Sequence, residues 1–207
     1  MDVFKVYKRL YRIYGPQGWW PIIGNTDKNC HDPYFEIAVG AILTQNTAWK
    51  NVAKAISNLH QAEPLKPELI LKLNTRKLQT LIRPAGYYKQ KTKKLKIFCR
   101  WLVENYNGDL TKLKKYQIKT VRAKLLDLWG IGKETADSII LYALNKPIFV
   151  IDEYTRRLCH AYNISFPEYD DYRHFFETNL KKNKSAKLFQ EYHALLVASG
   201  KEKHKHV

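Results

Sequence analysis

Gly130-Ile131-Gly132 is the segment whose residue types and spacing speak most directly of chemistry. Val121, Leu125 and Leu128 mark the buried side of one helix before it, and Ala136, Ile139, Ile140 and Ala143 mark that of a second over 133–144. Two glycines around one apolar plug let the chain reverse tightly, with backbone N–H groups turned outward where the helix dipole is positive. A phosphate can be held there with no side chain near a base, a contact that positions nucleic acid without reading it. The same residues also suit an ordinary helical hairpin with a glycine corner. Asp152 directly precedes Glu153-Tyr154-Thr155-Arg156 and reads as a helix N-cap. Trp19-Trp20-Pro21 reads either as a core anchor at a helix exit or as a pair of flat stacking surfaces. His204 and His206 read as tail composition and not as a metal pair, so no metal site is expected.

The rest of the chain must position these groups. It has 207 residues, with 36 Lys+Arg against 19 Asp+Glu and a formal net charge of +17. Hydrophobic content of 45% with 13% aromatics excludes a disordered basic tail and allows one domain or two modest lobes. No stretch approaches the ~18 uninterrupted apolar residues of a membrane span. The N-terminus carries no secretion pattern. Cys30, Cys99 and Cys159 are an odd set without metal spacing, which suits free thiols in a reducing, cytoplasmic setting (nucleoid-associated, if bacterial). Helical periodicity recurs over 3–14, 33–44, 48–60, 67–73, 75–82 and 88–105, with no strand alternation, so an all-α fold is expected. Lys89, Lys91, Lys93, Lys94, Lys96 and Arg100 read as a solvated face of one helix, and the net charge makes nucleic acid the first partner to expect.

Longer matches place the hairpin in context. Leu128-Trp129-Gly130-Ile131-Gly132-Lys133-Glu134-Thr135-Ala136 resembles the helix–hairpin–helix of the endonuclease III superfamily of DNA glycosylases. Twenty residues beyond Gly132, Val150-Ile151-Asp152-Glu153-Tyr154 resembles the segment carrying that superfamily's aspartate. Gly40-Ala41-Ile42-Leu43-Thr44-Gln45-Asn46-Thr47 and Pro84-Ala85-Gly86-Tyr87-Tyr88 resemble its two DNA-penetrating loops. The resemblance covers roughly 33–200 and implies two helical lobes with a DNA-binding cleft between them. One lobe of six helices spans 33–135 and ends in the hairpin; 136–207 joins 1–32 to form the other. It further implies Asp152 as the catalytic residue, Gln45 and Tyr87 entering the duplex, and Gly130, Gly132, Lys133 and Thr135 holding phosphate.

Two departures narrow the resemblance. Bifunctional members carry a nucleophilic lysine where this chain has Glu134, and a carboxylate cannot form a Schiff base. Lys133 is one residue out of phase, about 100° around a helix. Typical endonuclease III relatives also hold an iron–sulfur cluster on four C-terminal cysteines, whereas here none follows Cys159. Both departures match one branch, 3-methyladenine DNA glycosylase III, which Gly18-Trp19-Trp20-Pro21 and His174-Phe175-Phe176-Glu177 also resemble. That likeness places Trp19, Trp20, Pro21, Trp49 and Lys201 around a base pocket. No cofactor is implied, although a monovalent cation at the hairpin remains open. Double-stranded DNA with damaged bases is the implied partner, no membrane is involved, and a monomer is expected.

The chemistry fits these assignments. Breaking a base–sugar bond builds positive charge on deoxyribose, which a carboxylate stabilises most effectively where water is excluded. The same carboxylate can orient or deprotonate the attacking water. Alkylation leaves a purine cationic, so aromatic faces favour it by about 0.5–2 kcal/mol through cation–π attraction. Reaching the base requires flipping it out and filling the gap. The expectation is a monofunctional alkylpurine glycosylase. The alternatives are a glycosylase for oxidised pyrimidines or mismatched bases, and a helix–hairpin–helix DNA-binding module without catalysis.

Overall fold

The computed structural model describes residues 1–24, 32–62 and 64–202, so Cys30, His204 and His206 lie outside the described residues. The described chain is helical, without strands, and divides into two compact units, Met1–Pro21 with Ile140–Val207 and Ile22–Ile139.

The Ile22–Ile139 unit holds α2 (Pro33–Leu43), α3 (Trp49–Ala62), α4 (Pro67–Lys72), α5 (Thr75–Ile82), α6 (Tyr88–Tyr106), α7 (Ile118–Leu126) and α8 (Lys133–Ser138). Helix α2 begins as its Asp-Pro start predicts, with the Asp32 carboxylate accepting from the N–H groups of Tyr34 and Phe35. It is buried almost all round, as a central helix must be. The N-terminal segment was expected to join the other lobe through residue 32. Instead, Ile22–Gly24 group with this unit, and the buried Glu36 carboxylate accepts from the N–H groups of Ile23 at 2.5 Å and Gly24 at 3.1 Å. His60 Nε2 completes that site at 2.7 Å from Glu36.

The lysine-rich face of α6 is solvated at Lys89, Lys93 and Arg100 but not throughout. Lys91 is only 2% exposed, and Lys96 Nζ donates to the carbonyl of Leu73 at 2.9 Å. The stretch expected as one helix over 133–144 is α only through Ser138 and becomes a π-helix over Ile139–Ala143. Such turns often occur at functional sites.

The other unit holds α1 (Val3–Tyr14), that π-helix from Ile140 onward, α9 (Glu153–Ala161), α10 (Tyr169–Asn179) and α11 (Ala186–Lys201). Phe149 stacks on Phe176 at 4.4 Å and meets Tyr192 edge-on at 5.6 Å, forming an aromatic core. The Tyr192 hydroxyl donates to the Val3 carbonyl at 2.9 Å and ties α1 to α11.

Residues Ile148, Phe149, Val150 and Ile151 run buried in a non-helical segment that has no neighbouring strand. Side chains pair their backbone instead: Glu177 accepts from Phe149 N–H, and the Tyr169 hydroxyl accepts from Ile151 N–H, both at 3.1 Å. This run delivers Asp152 to the start of α9.

Helix α11 approaches α9 closely at Gly200, where a Cβ would lie 2.2 Å from Cδ1 of Tyr154. Gly200→Ala is therefore expected to destabilise the protein by about 1–3 kcal/mol through overpacking, read as a lower urea midpoint. An unchanged midpoint would show that the helices can separate freely at that point.

Candidate active site and DNA-contacting surface

Asp152 is 9% exposed and caps α9. Its Oδ1 accepts from the Thr155 N–H at 2.7 Å and the Thr155 hydroxyl at 2.8 Å. Its Oδ2 lies 3.5 Å from His193 Nε2. Burial alone pushes this carboxyl upward, but His193 and the two donors of Thr155 outweigh it and hold Asp152 below its ordinary value. A charged carboxylate is thus kept in a mostly dry place, with one oxygen committed to the cap.

His193 reaches Asp152 from α11, and its Nδ1 is 2.7 Å from the Tyr142 hydroxyl. That oxygen also lies 3.2 Å from the Gln190 carbonyl. Tyr142 stands in the π-helix, and its ring meets Trp20 edge-on at 5.2 Å; Trp19 follows at 5.5 Å from Trp20, across a cis peptide bond. The fold thus links Trp20 to Asp152 through two side chains that no sequence pattern marks. A buried tyrosine and histidine carry no sequence signal until the π-helix and α11 bring them together. Pro21 closes the same N-terminal segment, half-buried, and Lys201 ends α11, exposed.

In the other unit, Trp49 opens α3 and is half-buried. Gln45 is held by its own neighbours: Nε2 donates to the Gly130 carbonyl at 3.0 Å and to Thr135 Oγ1 at 2.9 Å. Its Oε1 accepts from Lys94 Nζ. Thr135, expected at a phosphate, is buried with its hydroxyl turned to Gln45, which leaves its backbone N–H for an anion. Tyr87 is 66% exposed at a left-handed position, φ 44°, immediately before α6.

The two loops share one anchor. Lys91 Nζ donates to the carbonyls of Leu43 and Ala85, both at 2.8 Å, and to Thr47 Oγ1 at 2.7 Å. Three donors meet three acceptors, without an anion. Burial, helped by the charge of Lys94, lowers Lys91 to about 8.

The hairpin glycines differ in purpose. Gly130 has φ +87°, and a Cβ there would lie 2.6 Å from Cγ of Lys94, so local structure demands glycine. Gly132 has φ −88°, and nothing would meet its Cβ within 4 Å. Neither backbone nor neighbours demand glycine at that exposed position. Lys133 follows half-buried and Glu134 exposed in the first turn of α8.

Residues 39–183 match the HhH-GPD superfamily base excision DNA repair protein model. The chain belongs to the HhH-GPD superfamily. A putative DNA repair glycosylase of Methanocaldococcus jannaschii is 44% identical over 199 residues, covering 94% of this chain and 85% of that protein. Escherichia coli K12 endonuclease III is 27% identical over 65% of this chain and 59% of its own length. The crystal structure of the Helicobacter pylori 3-methyladenine DNA glycosylase bound to 1,N6-ethenoadenine superposes with a TM-score of 0.84 at 29% identity, covering all of both chains. This HhH-GPD protein is accordingly a DNA glycosylase of the base excision repair family.

Two measurements follow from this HhH-GPD site. Gly130→Ala should cost about 1–2 kcal/mol through its left-handed backbone, whereas Gly132→Ala should keep the melting temperature and weaken binding to duplex DNA. Equal affinity for Gly132→Ala and wild type would remove the hairpin from the interface. Lys91, followed by 13Cε chemical shift, should titrate near 8, below the 10.5 of an ordinary lysine. Because its folded value lies below that of the unfolded chain, its ammonium costs stability at neutral pH, a cost relieved as pH rises from about 8 toward 10.5. A shift midpoint at 10.5 would contradict its burial.

Proposed function

We propose that this protein is a monofunctional glycosylase that hydrolyses the N-glycosidic bond of alkylated, 3-methyladenine-like purines in double-stranded DNA. The observation that carries the reading is Asp152, a charge-holding carboxylate fixed by Thr155 and facing His193. Such a group stabilises positive charge on the sugar as the base departs and takes the proton of the attacking water.

Water serves as nucleophile because the second residue of α8 is Glu134, which forms no Schiff base with the sugar. Trp19 and Trp20 supply aromatic faces beside Tyr142, suited to a cationic base that already leaves readily. The similarity to the H. pylori enzyme over its full length supports the same substrate class. By family likeness, Trp49, Pro21 and Lys201 are further base-contacting residues, and Gln45 enters the duplex after leaving its partners on the hairpin. Tyr87, exposed before α6, fills or stacks beside the gap left by the flipped base. Phosphate rests on the backbone of Gly130, Gly132, Lys133 and Thr135.

Typical endonuclease III relatives carry an iron–sulfur cluster, which does not fit this chain. Three cysteines cannot supply four thiolates. Cys99 and Cys159 are free and buried, one in each unit, and burial raises both thiols. The proposed hydrolysis needs no bound cofactor, and a monomer suffices for it.

Mass spectrometry of bases released from alkylated and from oxidised DNA tests the substrate class directly. Methylated purines should appear and intact abasic sites remain. Release of oxidised pyrimidines alone would overturn the reading, and a borohydride-trapped enzyme–DNA adduct would overturn the monofunctional assignment. Asp152→Asn should slow base release ~10²–10⁴-fold while binding to abasic-site DNA survives.

A further inference from the structure

Asp152 has one oxygen left for chemistry. Oδ1 is occupied by both donors of Thr155, so Oδ2 must meet the sugar or the water. What faces Oδ2 within the protein is the His193 ring, at 3.5 Å.

The environment selects the tautomer. His193 Nε2 is buried and has no short hydrogen bond. Left as a bare lone pair it would oppose a carboxylate oxygen in a dry place, an arrangement that repels. With the proton on Nε2, the ring instead presents its positive edge to Oδ2, and Nδ1 accepts from the Tyr142 hydroxyl at 2.7 Å. The tyrosine oxygen also lies 3.2 Å from the Gln190 carbonyl.

We infer that His193 is a positioning residue for the glycosylase reaction, locked by Tyr142 so that its Nε2–H holds Oδ2 of Asp152 ionised and aimed at the reacting centre. The inference rests on the assignment of Asp152 as catalytic and adds to it the device that keeps the carboxylate competent. His193 does not touch the DNA; it acts through Asp152.

Few titratable groups act on this device. Asp152 faces it from the start of α9 and Tyr142 from the π-helix, and Glu191 of α11 acts on Tyr142 by its charge. Helix α1, packed on α11, brings Tyr7 against Tyr192, with ring centroids 5.4 Å apart. The Trp20 ring abuts Tyr142 without adding charge.

The sign of the pH effect follows. His193 lowers the proton affinity of Asp152, so removing it raises that affinity, and the carboxylate is lost at a higher pH. The test is single-turnover base release from methyl methanesulfonate-treated duplex DNA, pH 3 to 8.5, so that the acid limb of a carboxyl held below its ordinary value is covered, corrected for spontaneous depurination. The full chain is used as wild type, His193→Leu, His193→Gln, Tyr142→Phe and Asp152→Asn. His193→Leu should move the acid limb upward by about one pH unit, a tenfold loss on that limb. Affinity for abasic-site DNA should be retained.

His193→Gln, which can still donate to Oδ2, should move the limb back toward wild type, and Tyr142→Phe should shift it less than His193→Leu. If His193→Leu does not fold, Tyr142→Phe carries the test. Profiles that overlay the wild type while Asp152→Asn is inactive would overturn the inference and leave the assignment of Asp152 standing. Turnover retained by Asp152→Asn would overturn that assignment first. A loss equal at every pH in His193→Leu, not reversed by His193→Gln, would reduce His193 to a structural role.

Discussion

A carboxylate kept charged away from water is the constraint on which one half of this molecule depends. Burying an ion is costly unless dipoles and partners replace its hydration. Asp152 receives them from two helices: the first turn of α9 offers the N–H and hydroxyl of Thr155, and α11 offers His193. Neither helix alone holds the group. The spacing between them is set by Gly200 against Tyr154, and the approach of the chain by Glu177 and Tyr169 pairing the run before it. Much of this unit serves the placement of one side chain.

The other unit is organised around a cation without an anion. Lys91 draws three oxygens from two loops and the end of α2 onto one ammonium. Such a group has two effects at once: it orders loops that have no core of their own, and it stays sensitive to the solvent it has lost. Lys94 does related work one turn further along the same helix, filling the space above Gly130 and engaging Gln45. The hairpin, the Gln45 loop and α6 are therefore one hydrogen-bonded body, and the residues expected to contact DNA are set by the same lysines that make the sequence so basic. The charge is partly a structural device.

Legibility differed by type of interaction. Helix positions, the cap at Asp32, the hairpin corner and Asp152 before α9 were readable, because they rest on neighbours in the chain. The all-α fold and the superfamily were readable for the same reason. Lys91 reads from the sequence as part of a solvated face, since periodicity places a residue on a helix without saying what lies opposite. The helix over 133–144 was expected as continuous α, and the π-helix that offers Tyr142 to His193 has no local composition signal. Ile22–Gly24 read as part of the other lobe because nothing in the order of residues shows that Glu36, the one carboxylate of a mostly apolar helix, binds the N–H groups of Ile23 and Gly24.

By itself the sequence determined most of the helix positions up to the hairpin, where the glycine corner falls, and which aspartate stands at the family spacing. These follow from short-range geometry, which a chain carries wherever it folds. Only the tertiary structure decided which oxygen of Asp152 is free, which ring faces it, why Gly130 is required locally while Gly132 is left bare, and which lysine is buried. Each of these depends on side chains distant in sequence meeting at hydrogen-bond range, and residue order alone does not encode those distances.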